Sequence, residues 1–185
     1  GTLTNEESDW VTNALKLDDV QISEIMTPRT VMLALEETVT VEEVFQKHPN
    51  VPFARIPLFS DTIDHITAII RRSDLHNAMV EGKSKLPIKQ LSKEVVFIPE
   101  NASADKALRL LLAKHCQLSV VVDEFGSVVG VLAMEDIIES ILGQEIFEYD
   151  DLAVDMRELA KRKHADQINS STNPLDEIHD SDDKA

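Results

Sequence analysis

The chain has one cysteine, one tryptophan and one tyrosine, and only five glycines in 185 residues. A lone Cys116 excludes an internal disulfide and a cysteine-based zinc site, so a reducing compartment is expected. Gly82, Gly126, Gly130 and Gly143 are too scattered to form a phosphate-binding loop. The six histidines show neither HxxxH nor HxH spacing, so no metal site is expected. His115 and Cys116 are adjacent in sequence, which does not supply the geometry of an activated nucleophile, and Cys116 reads as a small core residue. With no acid–base pair at workable spacing either, the chain is not expected to be an enzyme. No apolar run approaches the roughly 20 residues that a bilayer requires, and no secretory signal pattern opens the chain. The chain reads as soluble, and its start at Gly1 is expected of a piece cut from a longer protein.

Charge is abundant and lopsided. The net charge of −16 argues against nucleic acid or an anionic membrane surface as a partner. Its distribution narrows this further. Residues 1–27 carry six acids against Lys16, and residues 145–185 carry twelve acids against five bases, whereas 28–144 are nearly balanced. The centre of the chain can therefore receive an anionic ligand that the ends would repel.

The centre is also written twice. Ile69-Ile70-Arg71-Arg72-Ser73-Asp74-Leu75 precedes Val131-Leu132-Ala133-Met134-Glu135-Asp136-Ile137 by 62 positions, and the Thr40–Phe45 segment precedes Ser103–Leu108 by 63. Units this small bury too little apolar surface alone, so the copies are expected to share a core and leave a pseudo-twofold cleft between them.

The pattern predicts the elements. Thr4 and Glu7 have capping-box spacing for a helix over 4–17, with Trp10, Val11, Ala14 and Leu15 on a face expected to cover the core. In the first repeat, Val31–Leu33 reads as a strand and Thr40 caps a helix with Val41, Val44 and Phe45 inward. A hairpin follows over 53–59 and 66–70, then a helix from Ser73 or Asp74 to Val80. Pro57 lacks a ladder donor, which places it at a sheet edge or near a strand start. The second repeat has an extended 95–98 and a Ser103-capped helix with Ala104, Ala107, Leu108, Leu111 and Leu112 inward. A hairpin over 118–122 and 128–132 and a helix over 135–142 complete it. Unbroken Val/Ile/Leu runs suggest strands covered by helices on both faces. The fold class is therefore α/β (α+β), two βαββα units with small, mostly antiparallel sheets. Four segments result: a connecting helix over 1–20, repeats over 21–83 and 84–146, and an acidic 147–185. The last is expected to be helical over 152–163, to about residue 165, and disordered from about Gln167.

Met26-Thr-Pro-Arg29, Ala54-Arg-Ile-Pro57, Val121-Val-Asp-Glu-Phe-Gly126 and Gly130-Val-Leu-Ala-Met-Glu-Asp136, in this order and spacing, resemble a tandem pair of CBS domains, a Bateman module. The opening IMTPR and the later GQEIFEYDD resemble the cytosolic module of CorC/CNNM-type, hemolysin C-like membrane proteins. The resemblance covers about residues 4–165. It implies a regulatory module that binds adenine nucleotide, ATP or AMP, with Mg²⁺ offsetting the phosphate charge. It further implies control of an attached divalent-cation (Mg²⁺/Co²⁺) transporter domain, a homodimer of modules, and a place on the cytoplasmic side of an inner (plasma) membrane. The alternative is a structural dimerisation scaffold whose nucleotide site has degenerated.

The same resemblance assigns the nucleotide to Thr27, Pro28, Arg55, Ile56, Pro57, Asp74, Ala133 and Asp136. A carboxylate opening the last helix of a repeat accepts both ribose hydroxyls, here Asp74 and Asp136, and phosphates approach the helix N-terminus. Three residues earlier the family prefers Thr or Ser, where this chain has Arg71 and Ala133. Losing that hydroxyl removes a bond to a charged group, roughly 1.5–3 kcal/mol. Arg71 and Arg72 are candidates to supply phosphate charge, and Ala68, at a frequent glycine position, is expected to crowd its own cleft. As residues alone, Asp74 and Asp136 are equally helix caps, Arg55 a surface ion-pair partner, and Thr27-Pro28 a turn.

Overall fold

The computed structural model of the protein describes residues 2–143. The expected helix over 152–163, the disorder from Gln167 and the GQEIFEYDD segment from Gln144 lie outside the described residues. Six α-helices and seven strands follow one another along these residues. They are α1 (Asn5–Leu15), α2 (Ile22–Ile25), β1 (Thr27–Pro28), β2 (Leu35–Glu36), α3 (Val41–Lys47), β3 (Arg55–Phe59), β4 (Ile66–Arg71), α4 (Arg72–Val80), β5 (Phe97–Pro99), α5 (Ala104–Ala113), β6 (Leu118–Val122), β7 (Val128–Ala133) and α6 (Met134–Leu142).

Local chemistry explains most boundaries. Thr4 and Thr40 each accept the backbone N–H three residues on, and Glu7 and Glu43 return the bond, so both predicted capping boxes form. Ser103 accepts the Lys106 N–H at 3.4 Å to open α5. Gly143 ends α6 at φ 66°, a left-handed conformation that glycine adopts without strain. Helix α4 begins at Arg72, slightly before the predicted Ser73.

Two sheets form. The first has the order β2-β3-β4 and the second β1-β7-β6-β5. In each, a hairpin is extended by one parallel strand, β2 on β3 and β5 on β6. Pro57 lies mid-strand in the central strand of its sheet. Strand β2 pairs only with Leu58 and Phe59, so at Pro57 one side of β3 has no partner strand and needs no donor.

Among the described residues three apolar clusters hold the fold. One lies under the first repeat's helices and includes Val41, Val44, Ile56, Leu58, Ile70 and Leu75. A second lies under those of the other repeat, around Ala107, Leu111, Leu132 and Ile137. The third contains only strand and loop residues, Ile66 and Ile69 of β4 with Leu118, Val120, Val128 and Val131 of β6 and β7. Each sheet is thus covered by helices on one face and by the opposite sheet on the other. This corrects the expectation of helices on both faces: the continuous aliphatic runs arise because a sheet partner excludes water as well as a helix does.

The leading segments cross over. Thr27 and Pro28 of β1 pair with Val131 and Gly130 of β7, in the other repeat, and Lys93 pairs with Ile69 of β4. The crossing is matched in the cores: Leu17 and Ile22 are buried with the second repeat, and Ile88 with the first. Gly130 makes the first crossing close, because a Cβ there would lie 2.3 Å from the Thr27 carbonyl oxygen. Ala68, its counterpart, carries that Cβ, and only the single Ile69–Lys93 bridge forms there. The Ala68 side chain is buried in the first repeat's own core rather than crowding a cleft.

Three further expectations change. Residues Arg29–Val31 form a 3-10 turn and the strand comes later, at Leu35–Glu36, because Pro28 and the Arg29 side chain end the ladder of β1 first. Leu112 is exposed on α5. None of α1's residues is buried; Leu15 is 80% exposed, and the helix is held at α6, where Asn13 donates to the Ile141 carbonyl at 2.9 Å. The core is already closed by Leu17 and Ile22, so α1's apolar stripe has no space to fill.

Replacing Gly130 with Ala is expected to destabilise the protein by about 1–3 kcal/mol in urea unfolding, the usual cost of forcing an atom into packed backbone. Leu15→Ser is expected to stay within about 0.5 kcal/mol in the same assay, as an exposed substitution should.

Candidate nucleotide cleft between the repeats

Strand alternation sorts the candidate residues. On β3, Ile56 and Leu58 point into the first repeat's core, while Pro57 is registered against Ile69, a member of the inter-sheet cluster. Arg55 and Pro57 therefore share the face that looks toward the second repeat. Ile56 is fully buried in the core, so only its backbone could meet a ligand. Thr27 lies directly across from Val131, and antiparallel neighbours project to the same side. Thr27 thus shares its face with Val131 and Ala133, both part of the inter-sheet cluster. Pro28 is across from Gly130 and exposed, on the opposite side of the strand. The seam therefore collects Thr27, Arg55, Pro57 and Ala133 at the start of α6, with Asp136 on its first turn.

The start of α6 is chemically unusual. Asp136 Oδ2 accepts the Ala133 N–H at 2.7 Å, half of a capping box. Ala133 has no oxygen to return the bond, so no side chain caps the first turn. Burial pushes the Asp136 carboxyl up to about 6; the Ala133 N–H opposes this, and Glu139 and Glu135 add repulsion. Arg55 reaches across from β3 to within 4.0 Å of Glu135 Oε1, both side chains roughly one-quarter exposed. Glu135 was not among the sequence candidates. Its only signal was adjacency to Asp136, which does not disclose that it faces β3.

The first repeat's counterpart is closed on itself. Arg71 Nε and Nη2 donate to the two carboxylate oxygens of Asp74, both at 2.8 Å. A bidentate guanidinium occupies the geometry that a vicinal diol would need, and the pairing raises the Arg71 pKa further. Arg72 points inward rather than to a phosphate, donating to the Val51 carbonyl at 2.9 Å. Among the described residues, no cluster of His, Cys, Asp and Glu could hold a metal ion.

The family model for the CBS domain matches residues 88–143. A bacterial CNNM/CorC-family Mg²⁺ transporter CBS domain in complex with ATP superposes with a TM-score of 0.71 at 31% identity, covering 75% of this chain and 99% of that one. A CBS-domain pair with bound AMP from Klebsiella pneumoniae superposes with a TM-score of 0.60 at 25% identity, covering 67% and 99%. The magnesium and cobalt efflux protein CorC of Escherichia coli is 28% identical over 160 residues, 86% of this chain. A UPF0053 protein of Synechocystis is 31% identical over 163 residues, 88% of this chain. The fold and its seam are those of the CBS-domain class. The chain belongs to the CBS-domain family, as a CBS pair of the CNNM/CorC type. It spans about half the length of the curated relatives it matches, 55% of CorC and 47% of the Synechocystis protein.

The raised Asp136 carboxyl makes stability depend on pH. Its folded pKa lies above the ordinary carboxylate range, so the folded state holds the proton longer than the unfolded chain does. Asp136 therefore lowers stability progressively as pH rises from the ordinary carboxylate range through about 6. Asp136→Asn, which keeps an acceptor for the Ala133 N–H, is expected to melt higher than the parent at pH 7. The difference should vanish at pH 3 in thermal scans.

Proposed function

We propose that the chain is the nucleotide-responsive regulatory module of a divalent-cation transporter of the CorC/CNNM kind. It would take up adenine nucleotide, ATP or AMP with Mg²⁺ on the phosphates, between the repeats. The observation that carries this reading is the shared seam-facing side of Thr27, Arg55 and Pro57, with Arg55 within 4.0 Å of Glu135, the residue next to Asp136 on α6. Asp136 would accept the ribose hydroxyls, and the uncapped first turn of α6 would meet the phosphates, with Arg55 as the nearby cation. Asp74, already bound by Arg71, would leave the first repeat's cleft unused. Nucleotide bridging two repeats favours whichever arrangement brings them closest, and can bias an attached domain only by that preference. A homodimer of such modules, an attached membrane domain and a place on the cytoplasmic face of the membrane belong to the same proposal. Among the described residues no helix is long and apolar enough to cross a membrane. The likeness to ATP- and AMP-bound CBS structures supports the ligand class.

One observation favours a second reading. Ala133 supplies no hydroxyl where the α6 cap should be, so the module could be a dimerisation scaffold whose cleft has lost its ligand. The two readings separate by calorimetry with ATP and AMP, with and without Mg²⁺. The regulatory reading expects heat of binding and a raised melting temperature for the parent chain, abolished by Asp136→Ala and left intact by Asp74→Ala. It further expects Ala133→Thr to tighten binding about tenfold, the effect of one added bond to a charged group. Binding seen only in Ala133→Thr would establish the scaffold.

A further inference from the structure

Opposite the α6 end of β7, four groups from three segments close into a ring. Arg29, just past β1, forms a bidentate ion pair with Asp64, in the turn between β3 and β4. One arm joins Arg29 Nη1 to Asp64 Oδ1, and the other runs from Nη2 to Oδ2 at 3.1 Å. The same two side chains also hold both backbone groups of Val128, the first residue of β7. The Val128 N–H donates to Asp64 Oδ1 at 3.1 Å, and the Val128 carbonyl accepts from Arg29 Nη1 at 3.0 Å. The pairing draws the Asp64 carboxyl below its usual range, with the Val128 N–H adding to the effect.

The position of this ring gives it a task. Strand β1 is only two residues long, and two backbone pairs are too few to hold a strand by themselves. Beyond Pro28, where the backbone ladder stops, the Arg29 side chain takes over and satisfies the Val128 carbonyl in place of Thr30, the residue that a continued register would set across from it. Asp64 anchors that arm to the first repeat's hairpin. Thr27, two residues before Arg29, is the part of β1 that faces the seam beside Val131 and Ala133. We propose that Arg29 and Asp64 are positioning residues for the nucleotide cleft: their clasp on Val128 locks β1 to β7 and so sets where Thr27 stands, tying cleft geometry to the first repeat's hairpin. The inference rests on the nucleotide reading above and concerns residues that would not touch the ligand.

A clasp that merely adds stability would shift the melting temperature and leave affinity unchanged; a positioning clasp shifts affinity. The experiment compares the parent chain with Arg29→Ala, Asp64→Asn and the double variant. Asp64→Asn keeps the shape and an acceptor for the Val128 N–H while removing the charge, which guards against loss of folding. Lys85→Ala, which breaks an exposed ion pair with Glu42 on another part of the first repeat, is the control. Mg²⁺-ATP affinity is read by calorimetry, and hydrogen exchange is followed at the amides of Thr27, Arg29 and 128–131. Each single variant is expected to weaken affinity about tenfold, the scale of coupling within one hydrogen-bonded unit. The double variant should be no weaker than the weaker single one, and exchange should quicken at β1 and the start of β7 alone. Lys85→Ala should change neither. Parent-like affinity in Arg29→Ala and Asp64→Asn, with the parent chain binding normally, overturns this inference while leaving the nucleotide reading intact. A parent chain that binds no nucleotide overturns both.

Discussion

The structure depends on an exchange of leading segments between the repeats. Ile22 donates to the Ala102 carbonyl at 3.0 Å and Ala104 to the Val20 carbonyl at 2.8 Å, clamping the first leader onto the second repeat. The reciprocal clamp has Val41 donating to Leu86 at 3.1 Å and Ile88 to Val39 at 2.9 Å. The pairings Thr27–Val131 and Lys93–Ile69 extend the same symmetry into the sheets. Each repeat is therefore completed by chain that precedes the other. Neither core closes alone, since Ile22 and Ile88 are both fully buried in the opposite unit's cluster. Each such side chain contributes roughly 1.5–3 kcal/mol by burial, a large share of the stability of a small domain.

The exchange also makes the seam. Because the leaders cross, the two sheets are pulled face to face, and Ile66, Ile69, Leu118, Val120, Val128 and Val131 fill the space between them. Polar groups remain where this apolar contact ends, at the starts of α4 and α6. The two ends then diverge through one residue each. Arg71 neutralises Asp74 with two charge-assisted bonds, while Ala133 leaves Asp136 half-capped, desolvated and crowded by Glu135 and Glu139. A symmetric scaffold has thereby produced one end closed by an internal ion pair and one whose carboxylate is met by the Ala133 N–H instead.

Much of the fold was legible because its signals are local. Capping at Thr4, Thr40 and Ser103, the turn ending in Gly126 and the stop at Gly143 each depend on residues within one turn of chain. Errors came where distant chain competes for a surface. The stripe on α1 has the spacing of a core helix, but Leu17 and Ile22 reached that core first. Val31–Leu33 has strand composition, yet the Arg29 clasp ends the ladder before it. Among the site residues, Ile56 was read with its neighbours Arg55 and Pro57, although alternation along β3 sends it to the opposite face. Glu135 went unnoticed because its significance lies in facing Arg55 of another repeat.

Sequence by itself determined the duplication, the capped helices, the two hairpins and the family, since repeated spacing and short-range hydrogen bonding are properties of the chain read in order. Tertiary structure alone decided which repeat each leader completes, which strand faces form the seam, and that Asp74 is held by Arg71 while burial raises the Asp136 carboxyl. The physical reason is range. A cap or turn is satisfied by neighbours a few residues away, whereas desolvation and ion pairing depend on everything that surrounds a group. Those surroundings exist only after residues some 80 positions apart, such as Arg55 and Glu135, have been brought together.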